Sequence, residues 1–233
     1  MKTNSRVEHL VRLYGCLDEL EKRIGGKLEL SACHGRMNWP NQGVYFFFED
    51  GEERTGSGNG PRVVRVGTHA VSKGSKTTLW KRLYQHKGTE KTGGGNHRVS
   101  IFRLNVGAAL QQAGKIESIS SWGKSSSASR EIVNTEFEAE KYVSNYIGKM
   151  PFLFIRIEDE SSKESDRAFL EKNLIGLLSE FEKAPIDPPS KTWLGNKSPK
   201  PEIGSSGLWN SNYIEFDYDP NFLNLLEHYI CNM

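Results

Sequence analysis

Two strand-like segments joined by a glycine-rich connection constrain the fold of this chain more than any other feature. Residues 43–48 read GVYFFF and residues 62–67 read RVVRVG. Short runs of aromatic and β-branched residues are typical of β-strands. The connection over residues 49–61, EDGEERTGSGNGP, is polar and rich in glycine, as expected of a long hairpin loop. The sequence therefore predicts that these two strands pair in an antiparallel hairpin.

Helix signals lie on both sides of this hairpin. Apolar residues recur at helical spacing over residues 6–24, and two glycines then end the run. A second helix is predicted to begin at Thr77 or Thr78, either of which can serve as its N-cap, and to end at Gly88. The predicted hairpin is thus enclosed by an N-terminal helix and a following helix.

The C-terminal part of the chain predicts a further strand and two more helices. Residues 152–159, FLFIRIED, are expected to form the strand, and the helix after it has Ser165 or Asp166 as its N-cap. A terminal amphipathic helix is expected after Pro220. Between the two halves, we expect a strand over residues 98–106, RVSIFRLNV, and a helix over 136–147.

Length and composition indicate a globular protein. The 233 residues, of which 36% are hydrophobic, can bury a sizeable core. No stretch is long and apolar enough for a membrane span, and the first residues lack the pattern of a signal peptide, so we expect a cytoplasmic location. Three scattered cysteines suggest neither a disulfide framework nor a zinc site.

Positive charge is concentrated just after the hairpin loop. Residues 61–100 contain nine lysines and arginines and one acidic residue, an excess of eight positive charges. Such a segment is either a solvated basic face or a surface that binds nucleic acid.

Three polar residues stand out on the predicted helices. Arg82 and His86 are one turn apart on the stripe that carries the helix's leucines, so both side chains are expected to point toward the protein body. The alternative is a purely structural helix edge, with an arginine that extends to solvent and a histidine that caps the helix. Glu171 has mainly apolar helical neighbours, and a carboxylate there needs compensation. Either an arginine such as Arg167 provides it in an ion pair, or a bound divalent cation does.

The order of these segments resembles that of the GIY-YIG nucleases. The matching segments are GVY on the first strand, RVG on the second, LWKRLYQH on the next helix and AFLEKNLIGLL on a later one. The resemblance covers residues 43–88 and 151–182. It implies an α/β fold with a small antiparallel three-stranded sheet flanked by helices, here with an insertion and helical N- and C-terminal extensions.

On this basis the chain divides into three parts. Residues 1–42 form an N-terminal helical extension, and residues 43–182 form the nuclease-like core with an insertion around 93–150. Residues 183–233 form a coil and helix that pack on the core.

The resemblance also implies roles for individual residues. Tyr45 matches the candidate general base for water, and Arg82 matches the arginine that holds the scissile phosphate. His86 matches a histidine that often follows one turn later, and Glu171 matches the single carboxylate that binds the divalent metal, Mg²⁺ or Mn²⁺. These residue types suit the reaction, because a guanidinium and a cation stabilise negative charge that grows as water attacks a phosphodiester.

The chain departs from the family pattern at the second tripeptide. The family has a tyrosine where this chain has Arg65. This arginine either contacts the phosphate, in which case it is catalytic, or marks a site that has changed from cleavage to binding. The asparagine that the family usually supplies after the glutamate helix is assigned to Asn196, with Asn210 as the second choice.

Six further side chains are expected to contact DNA phosphates. They are Arg62, His69, Lys73, Lys76, Lys87 and Arg98.

The sequence therefore predicts a metal-dependent endonuclease acting on double-stranded DNA, in a restriction or phage-defence setting, and a homodimer is considered as its assembly. One alternative is a nucleic-acid-binding module of the same fold that does not cleave. Another is an unrelated α/β scaffold in which Glu171 and Arg82 merely pair.

Overall fold

A computed structural model describes residues 2–233 of the chain, and side chains from residue 5 onward. These residues form one four-stranded sheet and seven α-helices. The strands are β1 (Leu28–Glu29), β2 (Gly43–Glu53), β3 (Pro61–Gly67) and β4 (Pro151–Arg156). The α-helices are α1 (Lys2–Ile24), α2 (Leu79–Lys87), α3 (Ile101–Gln112), α4 (Arg130–Gly148), α5 (Asp166–Leu178), α6 (Pro201–Ser206) and α7 (Phe222–Cys231).

The sheet is antiparallel throughout, in the order β1-β4-β2-β3. The prediction of three strands is therefore wrong by one. The additional strand, β1, pairs only Leu28 with Phe152 and Glu29 with Pro151. A two-residue strand carries no alternation of its own, so only its pairing with β4 reveals it.

The sheet separates two hydrophobic cores. One face carries Val44, Phe46 and Leu153 and packs against α1, α5 and α7. The other face carries Tyr45 and Phe47, which pack with apolar residues of α2, α3 and α4. The alternation of side chains along β2 thus places Tyr45 in the second core.

The prediction of a strand over residues 98–106 is wrong, since most of this segment begins α3. Ser100 caps the helix by accepting a hydrogen bond from Arg103 N at 3.2 Å. Phe102 and Val106 are one helical turn apart and fully buried, whereas Val99 and Ile101, which the alternating pattern would bury together, are 48% and 40% exposed. Burial at helical spacing overrides the local β-propensity of this segment.

The remaining predicted elements form, with two shifted boundaries. β2 extends to Glu53, into the predicted loop over 49–61, and β4 ends at Arg156, before the end of the predicted strand over 152–159. Thr78 caps α2 and Ser165 caps α5, each through its side chain. The predicted helix over 136–147 lies within α4, and the predicted terminal helix is α7. The division into extension, core, insertion and C-terminal part remains a prediction. Among the described residues, no helix has the length and apolar character needed to cross a bilayer.

Candidate active site

The register between β2 and β3 places Tyr45 opposite Gly67. The tyrosine ring lies directly over this glycine, because a Cβ atom at Gly67 would be 2.3 Å from Tyr45 Oη and 2.4 Å from Cζ. No side chain fits in that space. The glycine of the second tripeptide therefore makes room for the phenol of the first.

Regular alternation along β3 orients Arg65 toward the same face, because Tyr45 pairs with Gly67 and Phe47 pairs with Arg65 without a shift between the two pairs. A register shift between Phe47 and Phe48 then leaves one extra residue on β3. As a result Val64, although adjacent in sequence to Arg65, also faces the core that contains Tyr45. Bulges of this kind often redirect side chains near functional sites.

The guanidinium of Arg65 is buried, with 4% of the residue exposed. Its Nη1 donates to the Trp209 carbonyl at 3.0 Å, and its Cζ lies 4.7 Å from the Phe102 ring centroid. Burial lowers the pKa of Arg65, while the phenol of Tyr45 and the carboxylate of Glu171 oppose this shift. Its Nε has no hydrogen-bond partner within normal geometry among the described residues, although the guanidinium lies close enough to the Tyr45 hydroxyl to attract it. A buried donor is therefore left available.

Helix α2 brings Arg82 and His86 to the tyrosine. His86 Nε2 lies 2.8 Å from Tyr45 Oη, and both side chains are fully buried. Burial holds the pKa of His86 well below its usual value, and Arg82 and Arg65 lower it further. The imidazole is therefore neutral, and exactly one of its nitrogens carries a proton.

Arg82, like Arg65, has one nitrogen that is left without a hydrogen bond. Its Nη1 donates to Gln85 Oε1 at 3.1 Å and to the Val99 carbonyl at 3.3 Å. Its Nε is buried and has no partner among the described residues. Unpaired buried donors cost free energy, and two arginines of this site carry one each.

Glu171 reaches the same cluster from α5, on the other side of the sheet. Its Oε1 accepts a hydrogen bond from Thr68 N, directly after β3, at 3.0 Å. Burial raises the pKa of Glu171, against the effects of the Thr68 N–H and of the cations Arg65 and Arg82. The carboxylate therefore lies in the electrostatic field of both arginines that carry an unpaired donor.

Arg167 does not provide the ion pair that was considered for Glu171. It pairs with Asp159 instead and donates to the backbone carbonyl of His69. This arginine anchors the loop after β3 to the start of α5. Glu171 is thereby left without a one-to-one ion-pair partner among the described residues.

The two candidate asparagines lie in different places. The amide of Asn196 donates to the Ser190 carbonyl at 2.8 Å, within its own coil, and no described contact joins it to the cluster. Asn210 instead donates to Val66 O at 2.8 Å and accepts from Val66 N at 3.1 Å. The second choice therefore lies against β3 beside Arg65, and the first does not.

Two arginines that were expected to contact DNA form ion pairs inside the protein instead. Arg62 is 3% exposed, and its Nε donates to Glu52 at 2.8 Å. Arg98 makes a two-pronged ion pair with Glu136. Because their guanidinium groups are already paired with carboxylates, the structure does not present these two arginines to a phosphate.

The other predicted DNA contacts differ in availability. His69 is buried, its Nε2 lies 3.2 Å from the Asn41 carbonyl, and burial lowers its pKa to about 4. Lys87 is held by Glu90 and by the Cys33 carbonyl. Lys73 and Lys76 are exposed on the loop before α2, where they are free to contact a phosphate.

The geometry agrees with the comparison to known families. The sequence model of the GIY-YIG domain matches residues 4–233, nearly the whole chain. The chain belongs to the GIY-YIG family. Members of this family are generally endonucleases that use divalent metals, so family membership indicates nuclease-type function and a DNA substrate. No curated protein and no solved structure was found to match the chain significantly.

Within this GIY-YIG domain, sequence reasoning missed two residues that touch the cluster. Ser100 Oγ lies 2.7 Å from His86 Nδ1, and the Thr68 N–H holds Glu171. A signal for Ser100 was present, because a serine just before helically spaced apolar residues is a typical N-cap. The strand interpretation of residues 98–106 concealed it. The contact made by Thr68 is through its backbone and carries no sequence signal.

Proposed function

We propose that this chain is a metal-dependent endonuclease that hydrolyses phosphodiester bonds in double-stranded DNA. The observation that carries the proposal is the pair of buried guanidinium donors, Arg65 Nε and Arg82 Nε, that have no hydrogen-bond partner among the described residues. They belong to the cluster that contains Tyr45, His86 and Glu171. A phosphate oxygen is the ligand that would satisfy both donors, since planar guanidinium groups recognise phosphate well.

The donor set at Glu171 fits a hard divalent cation such as Mg²⁺ or Mn²⁺. Its Oε1 is held by Thr68 N, which leaves the other oxygen for a ligand. Mg²⁺ is commonly bound by one or two protein carboxylates, with waters and substrate phosphates completing the shell. When bound, the cation would supply charge neutralisation at a phosphate oxygen. The described residues contain no group of three or more His, Cys, Asp or Glu side chains arranged to hold a metal, so Glu171 is the one protein ligand proposed.

The other residues of the cluster have complementary roles in this proposal. Arg82 and Arg65 hold the scissile phosphate and stabilise the charge that grows during attack. Tyr45 passes its phenol proton to the neutral His86 at Nε2, 2.8 Å away, as its oxygen takes a proton from the attacking water. Lys73 and Lys76 contact the DNA backbone on the approach to the site. A restriction or phage-defence role is the setting we propose.

A second candidate, a DNA-binding module that does not cleave, is favoured by the complete burial of Tyr45. In the described conformation the phenol has no surface through which to meet a water molecule. The Arg65 substitution in the second tripeptide also fits this candidate. No feature of the described residues supports the homodimer considered from the sequence.

Nicking of a supercoiled plasmid, with and without Mg²⁺, separates the two functions. We expect the wild-type protein to nick only with the metal, and Glu171→Gln to lose about a hundredfold or more of the rate, the scale of one lost charge contact in the transition state. DNA binding should persist, because the amide keeps an acceptor for Thr68 N. Glu164→Gln, at an exposed position just before α5, is the matched control and should be fully active.

Two results would count against the proposal. Full activity of a folded Glu171→Gln protein would remove this residue from the metal site. Tight DNA binding by a wild-type protein that fails to cleave DNA, whichever divalent metal is added, would establish the binding module instead.

A further inference from the structure

Residues 99–101 lie at the edge of the candidate active site, between α2 and the start of α3. The Val99 carbonyl accepts a hydrogen bond from Arg82 Nη1 at 3.3 Å, and Ser100 Oγ lies 2.7 Å from His86 Nδ1. These contacts hold the segment against two residues to which the proposed function assigns a role in cleavage.

The side chains of Val99 and Ile101 point toward solvent. The backbone at Ser100 is extended, with φ −144° and ψ 100°, and side chains in extended backbone alternate between two sides. Ser100 is 1% exposed, whereas Val99 is 48% and Ile101 is 40% exposed. A single exposed apolar side chain is common on protein surfaces. Here, however, two β-branched side chains lie on the same side of the segment that contacts Arg82.

The position of Arg82 indicates what these side chains meet. Arg82 is half-buried, and its Nε, which has no hydrogen-bond partner among the described residues, is assigned to a phosphate oxygen in the proposed function. A DNA strand that places a phosphate there must pass beside Val99, because the Val99 carbonyl contacts the same guanidinium. The nucleotides next to that phosphate are therefore within reach of Val99 and Ile101.

The chemistry of the two side chains selects one group on those nucleotides. Valine and isoleucine side chains neither donate nor accept hydrogen bonds, so packing them on a phosphate or a polar base edge would desolvate polar groups without compensation. Thymine presents a 5-methyl group in the major groove, and apolar side chains recognise it by contact. The stiff β-branched side chains lose little rotamer freedom in such a contact.

We infer that Val99 and Ile101 are specificity-determining residues that contact the 5-methyl group of a thymine near the scissile phosphate. The inference rests on the proposed function, because the two side chains reach a base only if Arg82 holds a phosphate of DNA. It adds a preference for thymine at one position relative to the cut.

The first test maps cut positions in a library of random-sequence DNA duplexes cleaved in Mg²⁺. For the wild type we expect an excess of thymine at one fixed distance from the cut. Val99→Ser/Ile101→Ser should lose this excess, although it keeps the Val99 backbone carbonyl, and Val99→Ile/Ile101→Val should retain it. Val11→Ser is the matched control, because Val11 is a 51% exposed valine on α1, across the sheet, and the variant should retain the excess.

The second test compares one duplex sequence made with thymine or with uracil, which lacks only the methyl group. Burial of one methyl group is worth a factor of about four, so we expect the wild type to cleave the thymine duplex about fourfold faster. The ratio should be near one for Val99→Ser/Ile101→Ser. Circular dichroism verifies that the variants fold, and the wild-type comparison needs no variant.

Three results would overturn the inference. They are equal wild-type cleavage of the thymine and uracil duplexes, a thymine excess that persists in folded Val99→Ser/Ile101→Ser, and a change of oligomeric state in that variant without a change in the excess, which would make the pair a protein contact. If the wild type cleaves neither duplex, the proposed function fails, and gel-shift binding without metal decides the inference. A fourfold preference for the thymine duplex in binding supports it, and equal binding or no binding overturns it.

Discussion

Substitution of Arg65 tests the position at which this chain departs from its family. Arg65→Met keeps an unbranched apolar stem but removes the guanidinium that lies over Phe102 and donates to the Trp209 carbonyl. If Arg65 Nε contacts the phosphate, the variant loses one transition-state charge contact. That contact is worth a factor of about 10² to 10³ in rate, or about 3 to 4 kcal/mol.

The effect of the same substitution on stability should be much smaller. Loss of a hydrogen bond from a charged donor costs about 1.5 to 3 kcal/mol, and loss of the cation–π contact costs up to about 2 kcal/mol. Against this, Arg65→Met removes a buried charge with an unpaired Nε, which is itself unfavourable. We therefore expect the free energy of unfolding to fall by about 1 to 2 kcal/mol, which urea titration can measure.

The assay is single-turnover nicking at saturating Mg²⁺, expressed per folded molecule. Arg65→Lys should recover part of the rate, since it keeps the charge without the fork of donors. Arg65→Tyr restores the residue that the family has at this position and should exceed Arg65→Met. Arg130→Met, at an exposed position in the first turn of α4, is the matched control. If Arg65→Met cleaves at the wild-type rate, Arg65 is a structural residue and the phosphate contact is refuted.

Two further predictions concern the basic loop and the buried histidine. The double variant Lys73→Gln/Lys76→Gln should weaken DNA binding about equally on all DNA sequences. It should also reduce the slope of log K against log salt by about two units, since each lost phosphate contact contributes about 0.9. An unchanged slope would place the DNA on another surface. The pKa of His69 in the folded protein is lowered to about 4. The contribution of the neutral, buried imidazole to the free energy of unfolding is therefore complete above about pH 6.5. It is lost as the pH falls toward 4, because only the unfolded chain binds the proton in that range. Between pH 7.5 and 5 the wild type should lose about 2 kcal/mol more unfolding free energy than His69→Gln, and equal losses in urea titrations at the two pH values would contradict this.

Local patterns in the sequence were sufficient for the elements that present the central residues. The aromatic run of β2 and the valines of β3 identify the hairpin, and the capping residues Thr78 and Ser165 mark the starts of α2 and α5. These signals depend on the backbone period and on hydrogen bonds within a few residues. They can therefore be recognised in the sequence without knowledge of the tertiary structure.

Spacing along α2 also predicted that Arg82 and His86 share one face of the helix. That these residues belong to the same site as Tyr45 was implied only by the resemblance to the GIY-YIG nucleases. The packing of α2 on the face of β2 that carries Tyr45 brings His86 to the phenol.

Contacts between separate segments of the chain determined which of the predicted DNA-contacting residues remain available. Arg62 and Arg98 read as DNA contacts in the sequence, but Glu52 and Glu136 neutralise them in the fold. Burial of a cation is costly unless a partner compensates it, and the choice of partner depends on which residues the fold brings together. The contact of Asn210 with β3 also joins segments that are far apart in the sequence, so spacing could not identify Asn210, instead of Asn196, as the asparagine beside this strand.

The tertiary structure also decided the surroundings of Arg65 and the identity of α3. Alternation along β3 accounts for the face on which Arg65 lies, but its contacts with the Trp209 carbonyl and the Phe102 ring come from distant segments. A one-residue shift in the β2–β3 register turns Val64 to that face as well, and no local pattern encodes such a shift because it depends on how both strands pair. Residues 101–112 are a helix because the core buries Phe102 and Val106 at helical spacing. The sequence by itself thus determined the elements and their periodic faces, whereas long-range packing determined the partners of the buried charges and the segments that surround Arg65.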